Sequence, residues 1–232
     1  IVDYAEATVG RGYAYFVGWF STFIYYPGMT SVLAWVSARY FCVILGWEIT
    51  GGPCMVITAL FLVCSYAINA LSPMLAGKFQ VATTVIKLIP LLLMGIVGTV
   101  VGLCNGLTVE NFTTVVNQSI SPENALFTAL AATAFAYEGW IIATSINAEL
   151  KNAKRNLPIA LIAGTSIIIL TYILYYIGLS GGVTNEELMN GGEAGAKIAF
   201  GSIFGNVGGT LLFVFVVISC LGTLNGLMLA ST

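Results

Sequence analysis

The sequence predicts an all-α integral membrane protein with six transmembrane helices. Three observations predict it. Of 232 residues, 58% are apolar and only 8% are charged, about a third of the usual charged share. The charges cluster: none falls between Arg11 and Arg39, and Ile49 to Gly77, Leu88 to Val109, Asn156 to Asn185 and Ile198 to the end are charge-free. Each gap can house the roughly 20 apolar residues that cross a bilayer as a helix. A soluble bundle of this size could not shield so much apolar surface.

The same composition excludes several functions. Eight Lys and Arg against ten Asp and Glu give a net charge of −2, with no basic stripe for nucleic acid. Histidine is absent and no carboxylate pair has catalytic spacing, which argues against an enzyme. No metal or other cofactor is implied. The five cysteines, Cys42, Cys54, Cys64, Cys104 and Cys220, are odd in number with no paired spacing, and they read as small core hydrophobes.

The first span is expected over Tyr13 to Ile44, long and tilted. The second covers Pro53 to Ser72, and the third Gln80 to Gly102. The fourth covers Asn124 to Leu150, the fifth Pro158 to Leu179, and the last Ala196 to Met228. Loops with Gly, Pro, Asn and Glu separate them. The longest connector, Asn105 to Glu123, holds a short helix at most. Asn111 heads Asn-Phe-Thr, an acceptor pattern for glycosylation that also arises often by chance.

Orientation follows from alternate loops. Arg11, Lys78, Lys151, Lys154 and Arg155 fall on one side, which is expected to be cytoplasmic. Arg39 and Lys197 fall on the other with most of the acidic residues. Six spans then place both ends of the chain in the cytoplasm. The chain starts with Ile and ends in an apolar span, and it is expected to be a fragment of a larger membrane protein.

Polar groups inside spans are the functional clue. Lys87 lies seven residues into the third span. It either snorkels to the headgroups or aims an ammonium into the protein, with Pro90 three residues on to bend the helix. The second place is Phe135-Ala136-Tyr137-Glu138-Gly139-Trp140, midway through the fourth span. One reading is a continuous helix whose Glu138 bonds a neighbour. The other is a break at Gly139 that turns free N–H and C=O groups into a cavity, where a helix N-terminus suits a substrate carboxylate. The third place is the last span, where Ser219 and Thr223 share one helix face. They either face Lys87 or a cavity, or serve close packing, a reading that also covers Gly205, Gly208 and Gly209.

Phe135-Ala-Tyr-Glu-Gly-Trp140 followed by Glu149-Leu-Lys-Asn-Ala-Lys-Arg-Asn-Leu-Pro158 strongly resembles the amino acid–polyamine–organocation transporters. Within them the pattern looks like the L-type amino acid transporter branch and its bacterial relatives. The Lys87 span, Ser219-Cys-Leu-Gly-Thr-Leu-Asn-Gly226 and Gly10-Arg-Gly-Tyr-Ala-Tyr-Phe-Val-Gly-Trp19 add support. The resemblance implies a twelve-helix carrier with a five-plus-five inverted repeat. This chain would supply its third to eighth helices: residues 1–104 end the first repeat, 105–123 form an extracellular connector, and 124–232 start the second repeat. The family's first and second helices would be missing partners, the first holding much of the substrate site.

By residue, the resemblance makes Phe135, Ala136, Tyr137, Glu138 and Gly139 the unwound part of the sixth helix of the carrier. Trp140 begins the next half-helix, and Phe135 resembles an aromatic gate. Lys87 resembles a fixed cation standing near where sodium-coupled relatives hold Na⁺, linked to Ser219 and Thr223. The motif departs from the family in having Ala153 where Pro is common, and an acid at Glu138 where several members have a small residue. The implied function is sodium-independent exchange of neutral amino acids by alternating access in the cell membrane. The alternatives are a proton-coupled symporter, a cationic amino acid exchanger using Glu138, and, in a different class, a non-transporting membrane fragment or partner subunit. Some eukaryotic relatives pair with an accessory glycoprotein, whereas bacterial ones act alone.

Overall fold

A computed structural model describes residues 1–114, 122–137, 139 and 150–231. All regular structure among them is helical. A short α1 (Val2–Thr8) leads into α2 (Arg11–Leu45), α3 (Gly52–Leu71) and α4 (Met74–Asn105). Then come α5 (Leu107–Thr113), α6 (Pro122–Ala136), α7 (Ala153–Ser180), α8 (Asn185–Gly191) and α9 (Gly195–Ser231). Among the described residues, α2, α3, α4, α7 and α9 are long and apolar enough to cross a membrane. Their boundaries carry the usual punctuation. Pro53 sits in the first turn of α3, where its missing N–H is harmless. Gly46 closes α2 at φ 69°, a left-handed conformation that glycine adopts without strain.

Four elements differ from the expected spans. The third span starts at Met74, not Gln80, because exposed Lys78 rides along its first turns with its stem on the helix. Pro90 lies inside this helix and does not end it, and a π-helical turn follows at Met94–Gly98. The fifth span begins at Ala153, so Lys154 and Arg155 lie in its first turn and Pro158 is held inside it. The last span is not one straight helix: Gly205 stands at φ 73° and ψ 179°. Only glycine reaches that conformation cheaply, and it leaves 206–231 as the part long enough to cross. The fourth expected span is described only as far as α6, which ends at Ala136.

Much of the apolar surface remains exposed. Ile162 and Leu170 on α7 are 71% and 67% exposed, as suits side chains that meet lipid rather than water. The helices therefore associate through small residues. On one seam Gly95, Gly98 and Gly102 of α4 meet Gly178 of α7 and Gly181 just past its end, and a methyl on Gly98, Gly178 or Gly181 would collide with the opposing backbone. On a second seam Gly222 and Gly226 of α9 lie on Thr83 and Gln80 of α4. Thus α4 is fastened to α9 through its first half and to α7 through its second, with Pro90 between.

A buried polar cluster reinforces the α9 seam. Asn225 is fully buried and Asn69 nearly so. Asn69 Nδ2 donates to Asn225 Oδ1 at 3.0 Å, and Asn225 Nδ2 donates to the Ala76 carbonyl at 3.1 Å and to Gln80 Oε1 at 3.2 Å. Replacing Asn225 by leucine strands these partners in an apolar interior. The expected loss is about 1–2 kcal/mol, between the small average for membrane hydrogen bonds and the cost of unmet buried groups. Thermal melting of the purified variant in detergent reads it.

The connector after α4 holds the short helix α5, as expected. Asn111 has a structural task there. Its Nδ2 donates to the carbonyls of Ser180 and Val183 at 2.7 and 2.8 Å, and its Oδ1 accepts from the Asn185 N–H at 2.9 Å. The nitrogen that would carry a glycan thus has both hydrogens engaged in tying α5 to the turn between α7 and α8.

Candidate functional site

The site is built where α6 stops. Among the described residues the Tyr137 N–H makes the last bond of this helix, to the Thr133 carbonyl at 3.1 Å, and Tyr137 itself lies in a turn. A helix end leaves its final carbonyls without intrahelical donors. One of them, that of Ala136, accepts a hydrogen bond from the Tyr172 hydroxyl of α7 at a long 3.5 Å. The Tyr172 ring also meets the Tyr137 ring edge-on, with centroids 5.3 Å apart at 65°. At Gly139 no described atom lies within 4 Å of where a Cβ would stand.

Around this end lies a cavity of about 400 Å³, a size that holds a small organic ligand. Lys87 of α4 and Thr223 of α9 line one part of it, and Ala136, Tyr137 and Gly139 another. α2 contributes Tyr25, Met29 and Leu33, four residues apart and so on one helix face. Tyr25 ends a π-helical turn over Ser21–Tyr25. α7 contributes Leu161, Thr165, Ile168 and Tyr172, spaced by four, three and four. Met29, Leu33, Leu161 and Ile168 make much of the wall apolar.

Lys87 is half-buried and provides the one charged group among the described residues that line the cavity. Among the described residues none bonds or ion-pairs with its ammonium. The Thr223 hydroxyl donates back to the Ser219 carbonyl at 3.0 Å, a common satisfaction of a hydroxyl within a helix; its lone pairs remain for a donor in the cavity. Pro90 is buried one turn beyond Lys87.

Of the nine positions suggested by sequence, the structure brings Lys87, Ala136, Tyr137, Gly139 and Thr223 together at one cavity. Ser219 contributes its carbonyl to Thr223 and does not line the cavity. Phe135 is placed in the last turn of α6. Glu138 and Trp140 lie outside the described residues, as does Glu149. Sequence reasoning missed Tyr25 and Tyr172. The signal for Tyr172 was present: Thr165 and Tyr172 are the polar-tipped members of a stripe that they share with Leu161 and Ile168.

Comparison with known proteins adds an independent line. A family model described as amino acid permease matches residues 1–232. The serine/threonine exchanger SteT of Bacillus subtilis (strain 168) is 31% identical over 230 residues, 99% of this chain and 50% of its own length. The b(0,+)-type amino acid transporter 1 of Mus musculus is 26% identical over 215 residues, 92% of this chain and 43% of its own. The cystine/glutamate transporter of Homo sapiens is 25% identical over 210 residues, 90% and 41% respectively. The chain spans about half the length, or somewhat less, of these relatives.

Proposed function

Because the chain belongs to the amino acid permease family, we propose that it forms the central part of a carrier that exchanges neutral amino acids across the cell membrane without sodium. The cavity that gathers Lys87, the end of α6 and Thr223 carries this reading. An amino acid is a zwitterion, and taking it from water is costly unless both charges find partners. Carbonyls at the end of α6 are acceptors suited to an α-ammonium. The half-helix that Trp140 would begin offers N–H donors to the carboxylate. The mostly apolar wall suits an uncharged side chain, and the positive charge of Lys87 disfavours a cationic one.

Lys87 acts as a permanent cation inside the bundle, in place of a bound sodium ion. That makes the cycle independent of a sodium gradient. In this reading α6 and α7 move with the family's first and second helices, against α2, α3 and α9. In this reading Lys78, Lys151, Lys154 and Arg155 face the cytoplasm, and the chain supplies the third to eighth helices of a twelve-helix carrier.

The test uses the full-length protein in liposomes. Vesicles preloaded with unlabelled amino acids are exposed to labelled ones, with and without sodium and a pH gradient. Uptake that needs an internal amino acid and neither ion gradient is expected, with neutral species competing best. Uptake into empty vesicles that collapses with the pH gradient makes the protein a proton symporter. Preferred exchange of lysine or arginine makes it a cationic exchanger, and either result rejects the proposal.

A further inference from the structure

We propose that the chain holds the phosphate of an anionic glycerophospholipid between Arg39 and Lys197. The site is separate from the amino acid cavity and does not rest on its reading. A second cavity, of about 380 Å³, carries the proposal. It lies where the late turns of α2 meet the start of α9. Arg39 and Lys197 are far apart in sequence, and folding brings both to its walls. Two cations on one cavity repel each other, and an anion between them turns that repulsion into attraction. Among the described side chains no carboxylate lines this cavity, so the described lining is net positive.

Aromatic rings hold both charges in place. The Arg39 guanidinium stands 4.8 Å from the centroid of the Trp35 ring, and the Lys197 ammonium 5.0 Å from that of Phe213. At such distances a ring face attracts a cation. The Phe213 ring in turn meets the Tyr40 ring at 5.3 Å, which ties the α9 cation to the residue beside Arg39 on α2. Both cations are half-buried. Fixing them before binding lowers the cost of ordering them around a ligand.

The remaining walls select the kind of phosphate. Val36, Val43 and Ile49 are apolar, and Val43 and Ile49 are 40% and 37% exposed. An inorganic phosphate loses water against such walls without compensation, whereas a lipid brings its own chain to lie on them. The depth agrees. Arg39 stands six residues before the end of α2 at Leu45, about 9 Å along the helix axis. Lys197 is the third residue of α9. Near helix ends, long basic side chains reach the headgroup level, and basic pockets between helices take up lipid phosphates. A zwitterionic headgroup sets an ammonium beside its phosphate, which the two cations repel. A headgroup of net negative charge brings no such opposition.

The experiment uses the full-length protein, purified in mild detergent and stripped of bound lipid. Short-chain phosphatidylglycerol, short-chain phosphatidylcholine and inorganic phosphate are titrated separately, with binding read by native mass spectrometry and by the rise in melting temperature. Phosphatidylglycerol is expected to bind about tenfold tighter, or more, than either of the others. Lys197→Gln and Arg39→Gln are each expected to weaken it about fivefold, the worth of one basic group at a membrane surface, and the double variant about 25-fold. Lys197→Arg keeps the charge and is expected to keep the affinity. Lys78→Gln removes an exposed cation that does not line the cavity, and it is expected to leave the affinity unchanged. Equal affinity for phosphatidylglycerol and phosphatidylcholine overturns the proposal. So does inorganic phosphate that binds as tightly as the lipid, since the site would then serve a free anion. Unchanged affinity in Lys197→Gln puts the lipid elsewhere, and an equal loss in Lys78→Gln marks attraction by net charge alone; either result overturns it. Arg39 also makes contacts within the fold, so if its variants fail to fold, Lys197→Gln decides alone. None of these readouts measures amino acid exchange, so a failure here leaves the carrier reading standing, and a protein that exchanges nothing leaves this site to be judged on lipid binding.

Discussion

Replacing Gly98 by leucine is expected to remove folded protein from the membrane. In lipid, helices gain little from burying apolar groups, because the tails are equally apolar; close backbone contact supplies the attraction instead. Gly98 faces the backbone of Gly178, and Gly181 faces the backbone of Gly98 in turn. Even one methyl cannot fit without separating α4 from α7. Leucine forces the whole seam apart, along with the contacts of Gly95 and Gly102 on either side. The expected cost is about 3 kcal/mol or more, at the upper end for overpacking. Gly77 is the control, since a Cβ there meets nothing within 4 Å. Gly77→Ala is expected to stabilise by about 0.5–1 kcal/mol through the better helix propensity of alanine. The yield of monodisperse protein in mild detergent, and its melting temperature, distinguish the two. A Gly98→Leu protein as stable as the parent would contradict the seam.

Replacing Lys87 by methionine is expected to abolish most exchange while leaving the protein folded. Methionine keeps much of the length of the side chain and removes the charge. If Lys87 contacts substrate or holds the cavity's field, losing a charged hydrogen-bonding group costs about 1.5–3 kcal/mol, a fall of roughly 10- to 150-fold in rate over KM. Stability has the opposite sign. An ammonium inside the bundle without a described partner is a desolvated charge, and its removal relieves that cost. The melting temperature is therefore expected to stay level or rise. The combination separates a functional lysine from a structural one, whose loss would lower stability and activity together. Wild-type exchange in Lys87→Met would return the residue to the alternative reading of a side chain reaching for headgroups.

Much of the fold was legible because charge is so sparse. The gap from Arg11 to Arg39, the run from Ile49 to Gly77 and the run after Ile198 mark α2, α3 and α9 almost without further reasoning. Starts and stops followed where Pro53 and Gly46 supply familiar geometry. The break in α9 was not legible, because Gly205 sits among Gly208 and Gly209, and a glycine in a membrane helix usually serves packing. Only its positive φ distinguishes it. The seam between α4 and α7 was hidden for a related reason: Gly95, Gly98 and Gly102 show a small-residue face but not which helix meets it.

The site was legible in its polar members and not in its walls. Lys87 and the Ala136–Gly139 segment stand out because a charge or a helix break inside an apolar span needs a reason. Thr223 was paired with Ser219 by spacing, yet the two play different parts: one hydroxyl lines the cavity, while the other residue offers its carbonyl. Met29, Leu33 and Ile168 look like any lipid-facing residue until the helices are assembled. Asn111 shows the converse, a recognisable triplet whose side chain serves the fold.

The central claim is that this cavity receives the amino acid, and protection of an introduced cysteine tests it most directly. In a full-length background with the native cysteines replaced, Thr223→Cys and Ala160→Cys place thiols on the cavity wall, and Ile162→Cys places one on the exposed face of α7. Labelling by a small thiol reagent is then followed with increasing concentrations of an exchanged amino acid. The account predicts that substrate slows labelling at both cavity positions, half-maximally near its KM, and leaves Ile162→Cys unchanged. Equal labelling rates with and without substrate at Thr223→Cys and Ala160→Cys would contradict it.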